Sequence, residues 1–265
     1  MNIIWLNGRF VNESPVFLPS DRIRIGDGVF DTMLAVDGVP VHANEHFKRL
    51  LGHADVLRIK TDWSVSDLKA AADGLLEQNK SDTGKFAVNT VITRGPGERG
   101  LKLPKNPAIQ CVMSVSPAPA EFPPVHAVIA SVSRNEGSPL SRIKSCNYGD
   151  NILALAEANE KGANEAIMLN NRGNIACAST SNIFILRNGK LLTPKLDDGA
   201  LDGITRRNLI KKHGAVETSF TAADLAASEG IYLTSSVRGV VAVETLDGKK
   251  LPRPSLEIDK EFHLI

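Results

Sequence analysis

The stretch Ser141–Gly162, SRIKSCNYGDNILALAEANEKG, decides how this chain is read. Its second part is helical. Ile152, Leu155, Ala156 and Asn159 share one helical face, and Gly162 is the stop signal. Its first part sets a lysine, Lys144, just before the polar turn Ser145-Cys146-Asn147-Tyr148-Gly149. Two readings fit that lysine. Most lysines are solvated surface amines. A partly desolvated lysine instead gives up its proton more readily and can form a Schiff base with a carbonyl. The turn offers hydroxyl, amide and phenol groups around such an adduct.

On the N-terminal side of this stretch lies Ser116–Pro124, SPAPAEFPP, with four prolines in nine residues. Such a segment resists both helix and central strand. The expected organisation is an N-terminal α+β domain over residues 1–116, a Pro-rich linker at 117–124 and a C-terminal α/β domain over 125–265 that carries Lys144. Clefts between domains are favoured ligand sites. Asn7-Gly8, Asp37-Gly38, Asn188-Gly189 and Asp247-Gly248 separate apolar runs, so both halves are expected to be rich in antiparallel hairpins. Phe86–Thr93, Ala108–Val115 and His126–Val132 read as further strands. Phe47, Leu50, Leu51, Ala54 and Leu57 form one helical stripe. Leu68, Ala71, Ala72 and Leu75 form another, with Ser66 as its N-cap, and a short helix follows Thr221.

Composition narrows the function classes. The 265 residues are 42% hydrophobic and 23% charged, enough for a full core. Lys+Arg number 31 against Asp+Glu 30, so no basic excess points to nucleic acid. The opening MNIIWLNGRF has no basic n-region and no long apolar run, so neither a secretory signal nor a membrane helix is expected. Three cysteines, Cys111, Cys146 and Cys177, fit a reducing cytoplasm and match no zinc spacing. His42 and His46 fall four apart, but Pro40 and a helix start near Asn44 argue against a shared face, and no metal is assigned.

Four other motifs each carry a plain reading beside a chemical one. Leu201–Ile210, LDGITRRNLI, is either an ordinary capped helix or a helix start that binds an anion, with Gly203 allowing close approach and Thr205 adding a hydroxyl. Thr234, Ser235 and Ser236 end an apolar strand, as a polar turn or as a grip on phosphate oxygens. Arg49 lies off its apolar stripe, where a solvated face is usual and where a phosphate clamp would project. The loop Thr93–Pro104, TRGPGERGLKLP, sets Arg94 and Arg99 among three glycines. It is either an exposed hairpin loop or a reader of substrate carboxylates.

Taken in order, these pieces resemble the class IV (fold-type IV) pyridoxal-phosphate enzymes, which include branched-chain aminotransferases, D-amino-acid aminotransferases and 4-amino-4-deoxychorismate lyases. SDRIRIGDGVFDTMLAVDG resembles the N-terminal hairpin of that family, HANEHFKRL its arginine helix, RIKSCNY its lysine turn, ASTSNIFIL its central strand and LDGITR its phosphate turn. The resemblance covers nearly the whole chain. It implies a two-domain α/β fold with mixed, hairpin-rich sheets, a cofactor cleft between the domains and a homodimer. It implies that Lys144 holds pyridoxal 5'-phosphate as a Schiff base and shuttles protons. It also implies that Arg49, Ile204, Thr205, Ser235 and Ser236 cradle the phosphate, and that Tyr148 lies near the ring hydroxyl.

One departure stands out. Aligned on Asn182-Ile183-Phe184, the place of the family's glutamate against the pyridine nitrogen holds Cys177. A carboxylate keeps the ring protonated; a thiol does so poorly. Either a thiolate forms, or another group compensates, or the chemistry tolerates a less electron-withdrawing ring, or Cys177 is simply a small buried residue. The RGPGERG loop resembles that of the lyases and D-amino-acid aminotransferases. Leu101 and Phe30 stand where the D-amino-acid enzymes carry a histidine and a tyrosine. Phe30 and Arg99 are the expected substrate contacts. The expectation is an aminotransferase acting on an amino acid and a 2-oxo acid. The alternatives are a 4-amino-4-deoxychorismate lyase and a degenerate carrier or regulator that binds the cofactor without turnover.

Overall fold

The computed structural model describes residues 3–12 and 18–259. Its strand pairing starts at the four expected turns. Asn7-Gly8, Asp37-Gly38, Asn188-Gly189 and Asp247-Gly248 all place both residues at positive φ, the mirror-image turn whose twist matches that of paired strands. The chain divides into two units. One runs to Ala120 and takes in Lys144–Asn147; the other holds Glu121–Ile143 and the chain from Tyr148 onward.

The first unit contains β1 (Ile3–Leu6), β2 (Arg9–Asn12), β3 (Gly28–Val36), β4 (Val39–Pro40), α1 (Ala43–Val56), α2 (Val65–Gln78), β5 (Lys85–Thr93) and β6 (Gln110–Pro117). Its sheet has the order β2-β1-β6-β5-β3-β4, and every described pair is antiparallel. α1 packs on β3, and α2 on β1 and β6. The expected stripe of α1 buries Phe47, Leu50 and Ala54, joined by Ala43 and His46. The cap of helix α2 lies two residues before the expected one. Ser64, not Ser66, closes a capping box in which its hydroxyl accepts from Asp67 N at 3.2 Å and Asp67 Oδ2 accepts from Ser64 N at 2.8 Å.

The second unit contains β7 (Val125–Ile129), α3 (Gly149–Glu160), β8 (Glu165–Leu169), β9 (Ile175–Ala178), β10 (Asn182–Arg187), β11 (Lys190–Thr193), α4 (Ile204–His213), β12 (Val216–Glu217), α5 (Ala222–Ala226), β13 (Gly230–Ser235), β14 (Gly239–Leu246) and β15 (Lys249–Lys250). Its sheet is mixed. The order is β12-β11-β10-β13-β14-β7-β8-β9, with β15 on β14, and the pairs β14–β7, β7–β8 and β11–β12 are parallel. The two-domain α/β architecture implied by the sequence is thus present.

Helix α3 forms where expected but turns a different face inward. Asn151, Ala154 and Ala158 are buried, whereas Ile152 is 65% exposed. Two alanines let the helix lie close on β8, and Asn151 is buried because its amide is used: Nδ2 donates to Ser179 O at 2.7 Å and Oδ1 accepts from Arg134 Nη1 at 3.0 Å. A hydrophobicity stripe cannot find a helix face built from small and polar residues.

Candidate active site

In the first unit the lysine segment runs beside β3. Phe30 N donates to Lys144 O at 2.9 Å, Cys146 N donates to Gly28 O at 2.8 Å, and Val29 bridges Ser145 in antiparallel fashion. These bonds are why Lys144–Asn147 groups with the first unit, although the sequence reading carried Lys144 in the C-terminal domain. Two glycines of the GDG stretch make room for it. A Cβ on Gly26 would stand 2.3 Å from Asn147 Oδ1, and one on Gly28 would stand 2.8 Å from Ile92 O and 3.3 Å from Cys146 Sγ. The Lys144 side chain is half-buried, with Nζ 4.4 Å from the centroid of the Phe30 ring. It is therefore not a fully solvated side chain. Its amide donates to His53 Nδ1 at 3.2 Å, so that ring nitrogen is an acceptor.

Arg49 is not on a solvated face either. Its side chain is 8% exposed and lies against Asp31, itself 3% exposed. Arg49 Nε donates to Asp31 Oδ2 at 2.8 Å and Nη2 to Asp31 Oδ1 at 2.7 Å, while His46 Nδ1 meets Oδ1 at 2.9 Å. Burial would raise the Asp31 carboxyl, but Arg49 and His46 outweigh it and hold the acid well below its usual range. Burial in turn depresses His46 against the pull of Asp31. His46, Arg49 and His53 share one face of α1 by helical spacing. Sequence reasoning missed Asp31 and His53, because nothing in their local pattern marks them.

The two loop arginines part company. Arg94 is 5% exposed and belongs to the framework: Nε and Nη2 donate to Asp27 at 2.8 and 3.1 Å, Nη2 to Leu57 O at 2.6 Å and Nη1 to Arg58 O at 3.1 Å. Arg99 is exposed.

The second unit holds the other expected phosphate residues, Ile204, Thr205, Ser235 and Ser236. Helix α4 begins after Gly203 with no side-chain cap, so its first amides lack a partner within the helix. Ile204 is 3% exposed and Thr205 4%. A Cβ on Gly203 would stand 2.0 Å from Asn182 Oδ1, and Asn182 Nδ2 donates to Leu201 O at 2.7 Å, so the helix start is seated tightly against β10. Asn182 pairs with Thr234 across β10 and β13. The Thr234 hydroxyl is buried without a hydrogen-bond partner, as is that of Ser181. Orphaned buried hydroxyls are rare and mark a place for a ligand or water. An uncapped helix start and unused hydroxyls fit a phosphate. Ser235 and Ser236 are half-buried, and Ser235 Oγ accepts from Arg238 N at 3.1 Å. Thr234, the hydroxyl just before them, is the buried one.

Cys177 sits on β9 opposite Met168 and is 6% exposed. Burial pushes its thiol up, the Arg134 charge pulls it down and Glu165 pushes it up again. The net direction is up. Glu165 is a buried carboxylate the sequence reading passed over. It is 1% exposed and accepts from the Ser179 amide at 3.1 Å, the Ser179 hydroxyl, the Thr180 hydroxyl at 3.0 Å and Ala166 N at 3.0 Å. Arg238 Nη1 stands 3.9 Å away. Tyr148, half-buried, is the residue before α3. Among the described residues no group of three or more His, Cys, Asp or Glu could hold a metal ion, and no helix is long and apolar enough to cross a membrane.

Comparison with known proteins completes the description. A model of the family described as Amino-transferase class IV matches residues 28–246. A protein of Methanocaldococcus jannaschii named "Putative branched-chain-amino-acid aminotransferase" is 33% identical over 271 residues, covering 98% of this chain and 93% of that protein. The aminodeoxychorismate lyase of Bacillus subtilis is 30% identical over 79% of this chain and 73% of its own length. Among solved structures, the branched-chain aminotransferase of Thermoproteus uzoniensis with norvaline is similar at a TM-score of 0.89 and 26% identity, covering 95% of this chain and 89% of that one.

Proposed function

The chain belongs to the amino-transferase class IV family, and we propose that within it this protein is an aminotransferase that moves an amino group between an amino acid and a 2-oxo acid. The observation that carries the proposal is Lys144, fixed by its backbone along β3 with Nζ over the Phe30 ring. The names of two of the similar proteins above support transfer over elimination. Pyridoxal phosphate, when bound, supplies the electron sink for breaking a bond at the amine-bearing carbon. Lys144 Nζ would hold the cofactor and would move the proton at that carbon. Arg49, Ile204, Thr205, Ser235 and Ser236 are assigned to the phosphate, and Thr234 joins them on its unused buried hydroxyl. Tyr148 is assigned to the ring hydroxyl and Cys177, as a neutral thiol, to the ring nitrogen. Phe30 and Arg99 are assigned to the substrate, with Arg99 pairing its carboxylate. We assign the protein to the cytoplasm, which suits its three free cysteines, and to a homodimer; sedimentation at the mass of one chain would remove the latter.

Elimination of pyruvate from 4-amino-4-deoxychorismate is the second reading. It is favoured by the likeness to the Bacillus subtilis lyase, while Leu101 and Phe30, in the places of the D-amino-acid enzymes' histidine and tyrosine, weaken a D-amino-acid reading. A substrate panel separates the two. The loaded protein is offered L- and D-amino acids with pyruvate or 2-oxoglutarate, primary amines without a carboxylate, and aminodeoxychorismate. Amino transfer from a carboxylate-bearing donor is the expected result. Pyruvate release from aminodeoxychorismate alone establishes the lyase. Equal use of simple amines removes the carboxylate role of Arg99, and a loaded protein that turns over none of them is the degenerate carrier.

The cofactor assignments are tested by titration with pyridoxal phosphate. Thr205→Val and Arg49→Ala are each expected to weaken binding by about tenfold, since a hydrogen bond to a charged group contributes about 1.5–3 kcal/mol. Cys177→Glu is expected to shift the pH dependence of the bound cofactor's absorption, because a carboxylate beside the ring nitrogen favours its protonated form. Unchanged affinity in both of the first variants places the cradle elsewhere, and an unchanged spectrum across pH moves Cys177 away from the ring.

A further inference from the structure

Arg22 is as buried as a core side chain, 5% exposed, yet the assignments above leave it without a role. Its guanidinium is shared between one carboxylate and three consecutive backbone carbonyls. Nε donates to Asp27 Oδ2 at 2.6 Å, Nη1 to Gly100 O at 3.2 Å and Lys102 O at 3.4 Å, and Nη2 to Leu101 O at 3.5 Å. Those carbonyls follow directly on Arg99. On its other side Asp27 accepts from Arg94 Nε and Nη2, and Arg94 also donates to Leu57 O and Arg58 O at the end of α1. A chain of hydrogen bonds therefore runs from the end of α1 through Arg94, Asp27 and Arg22 to the loop. Burial would raise the Asp27 carboxyl, but Arg94 and Arg22 outweigh it, so the link is ionised.

The loop itself is built around this side chain. A Cβ on Gly97 would stand 2.9 Å from Arg22 Cδ, and one on Gly95 would stand 1.9 Å from Ala108 O. Gly97 N donates to Ser20 O at 3.0 Å and Arg22 N to Gly95 O at 3.1 Å, so the loop base is pinned to the segment that carries Arg22. Beyond that base the loop has little packing of its own. Glu98, Arg99, Gly100, Leu101, Lys102 and Leu103 are all exposed. A segment with few buried contacts opens at low cost unless polar groups hold it. Lysine could not replace this fork, because its single ammonium is a point donor and cannot span three carbonyls and a carboxylate.

We propose that Arg22 is a positioning residue for the substrate: by holding the carbonyls of residues 100–102 it fixes where Arg99 presents its guanidinium to a carboxylate. The proposal rests on the reading of Arg99 given above. Arg22 touches no substrate; it removes the cost of ordering the loop when one binds.

The test uses the cofactor-loaded protein and the best carboxylate-bearing substrate from the panel. Arg22→Met is expected to raise KM about tenfold while kcat stays within about twofold, because only the ordering of a binding group is lost. Arg22→Lys should fall between it and the wild type. Gly97→Ala, which keeps the charge but crowds the stem, should raise KM in the same direction. Trypsin reports the loop directly, since Arg99 and Lys102 are its sites: cutting there should accelerate in Arg22→Met. Arg99→Ala should raise KM by itself, and adding Arg22→Met to it should raise KM no further, a non-additivity that general destabilisation would not produce. If Arg99→Ala raises KM and Arg22→Met does not, the positioning role is overturned while Arg99 keeps its own. If the two effects multiply in the double variant, Arg22 acts by another route and the proposal falls. If Arg99→Ala leaves KM unchanged, the carboxylate reading fails and takes the proposal with it.

Discussion

Lys144→Ala is expected to lose turnover by about 10²–10⁴-fold or more, the scale of a positioned proton-transfer group, and to lose covalent cofactor attachment altogether. The substitution should leave the chain in place. The backbone at this position is held by Phe30 N on Lys144 O and by Lys144 N on His53 Nδ1, and neither bond involves the side chain. What is lost is Nζ, poised over the Phe30 ring at 4.4 Å. A cation there is attracted by the face of the ring. Lys144→Arg separates charge from chemistry, since it keeps a cation for the ring but offers no amine to attach. Borohydride treatment of the loaded wild type, followed by digestion and mass measurement, should find the adduct on the peptide containing Lys144. Both variants should give none. An adduct on a different lysine, or near-normal turnover in Lys144→Ala, would sink the assignment.

What the sequence made legible divides along physical lines. Turns were readable because Asn-Gly and Asp-Gly pairs report a local backbone requirement, and all four turns form as read. The stripes of α1 and α2 were readable because apolar burial repeats with the helix period. The burial of Asn151 in α3 was not, since it depends on Arg134 and Ser179, which no periodicity links to it. Lys144, Thr205 and Ser235 could be singled out by their motifs, each beside a plain alternative. Asp31, Glu165 and Thr234 could not: each gains its meaning from a partner brought up by pairing far along the chain. Asp31 is set by Arg49 and His46 on α1, Glu165 by Ser179 and Thr180, and Thr234 by its place across from Asn182. The misreading of Arg94 has the same origin. A strand-end arginine among glycines looks like a ligand reader until Asp27 and two carbonyls take up its donors.

Asp31 also yields the largest expected change in stability. Its carboxylate is 3% exposed and is the counter-charge of Arg49, whose side chain is 8% exposed. Removing one member of a buried ion pair leaves the other uncompensated, at a cost of about 3–5 kcal/mol. Asp31→Asn, which keeps the shape, should therefore lower the melting temperature by roughly 10 °C for a chain of this size. The pH dependence has a definite sign. The folded-state carboxyl is held below its ordinary value, chiefly because Arg49 and His46 outweigh burial. Its contribution is therefore fully present above the unfolded-state value, near 4 for an ordinary aspartate, and is lost as pH falls below it. The gap between wild type and Asp31→Asn should be widest at neutral pH and close in acid. Removing both charges, in Asp31→Asn with Arg49→Met, should recover much of the lost stability, because no buried charge is then left alone. The same double variant should still bind pyridoxal phosphate poorly, since Arg49 is assigned to the phosphate. Thermal melts across pH and a cofactor titration read the two effects apart. A double variant as unstable as the single one would mean that the pair is held for reasons other than charge compensation, and full cofactor affinity in that variant would take Arg49 out of the phosphate site.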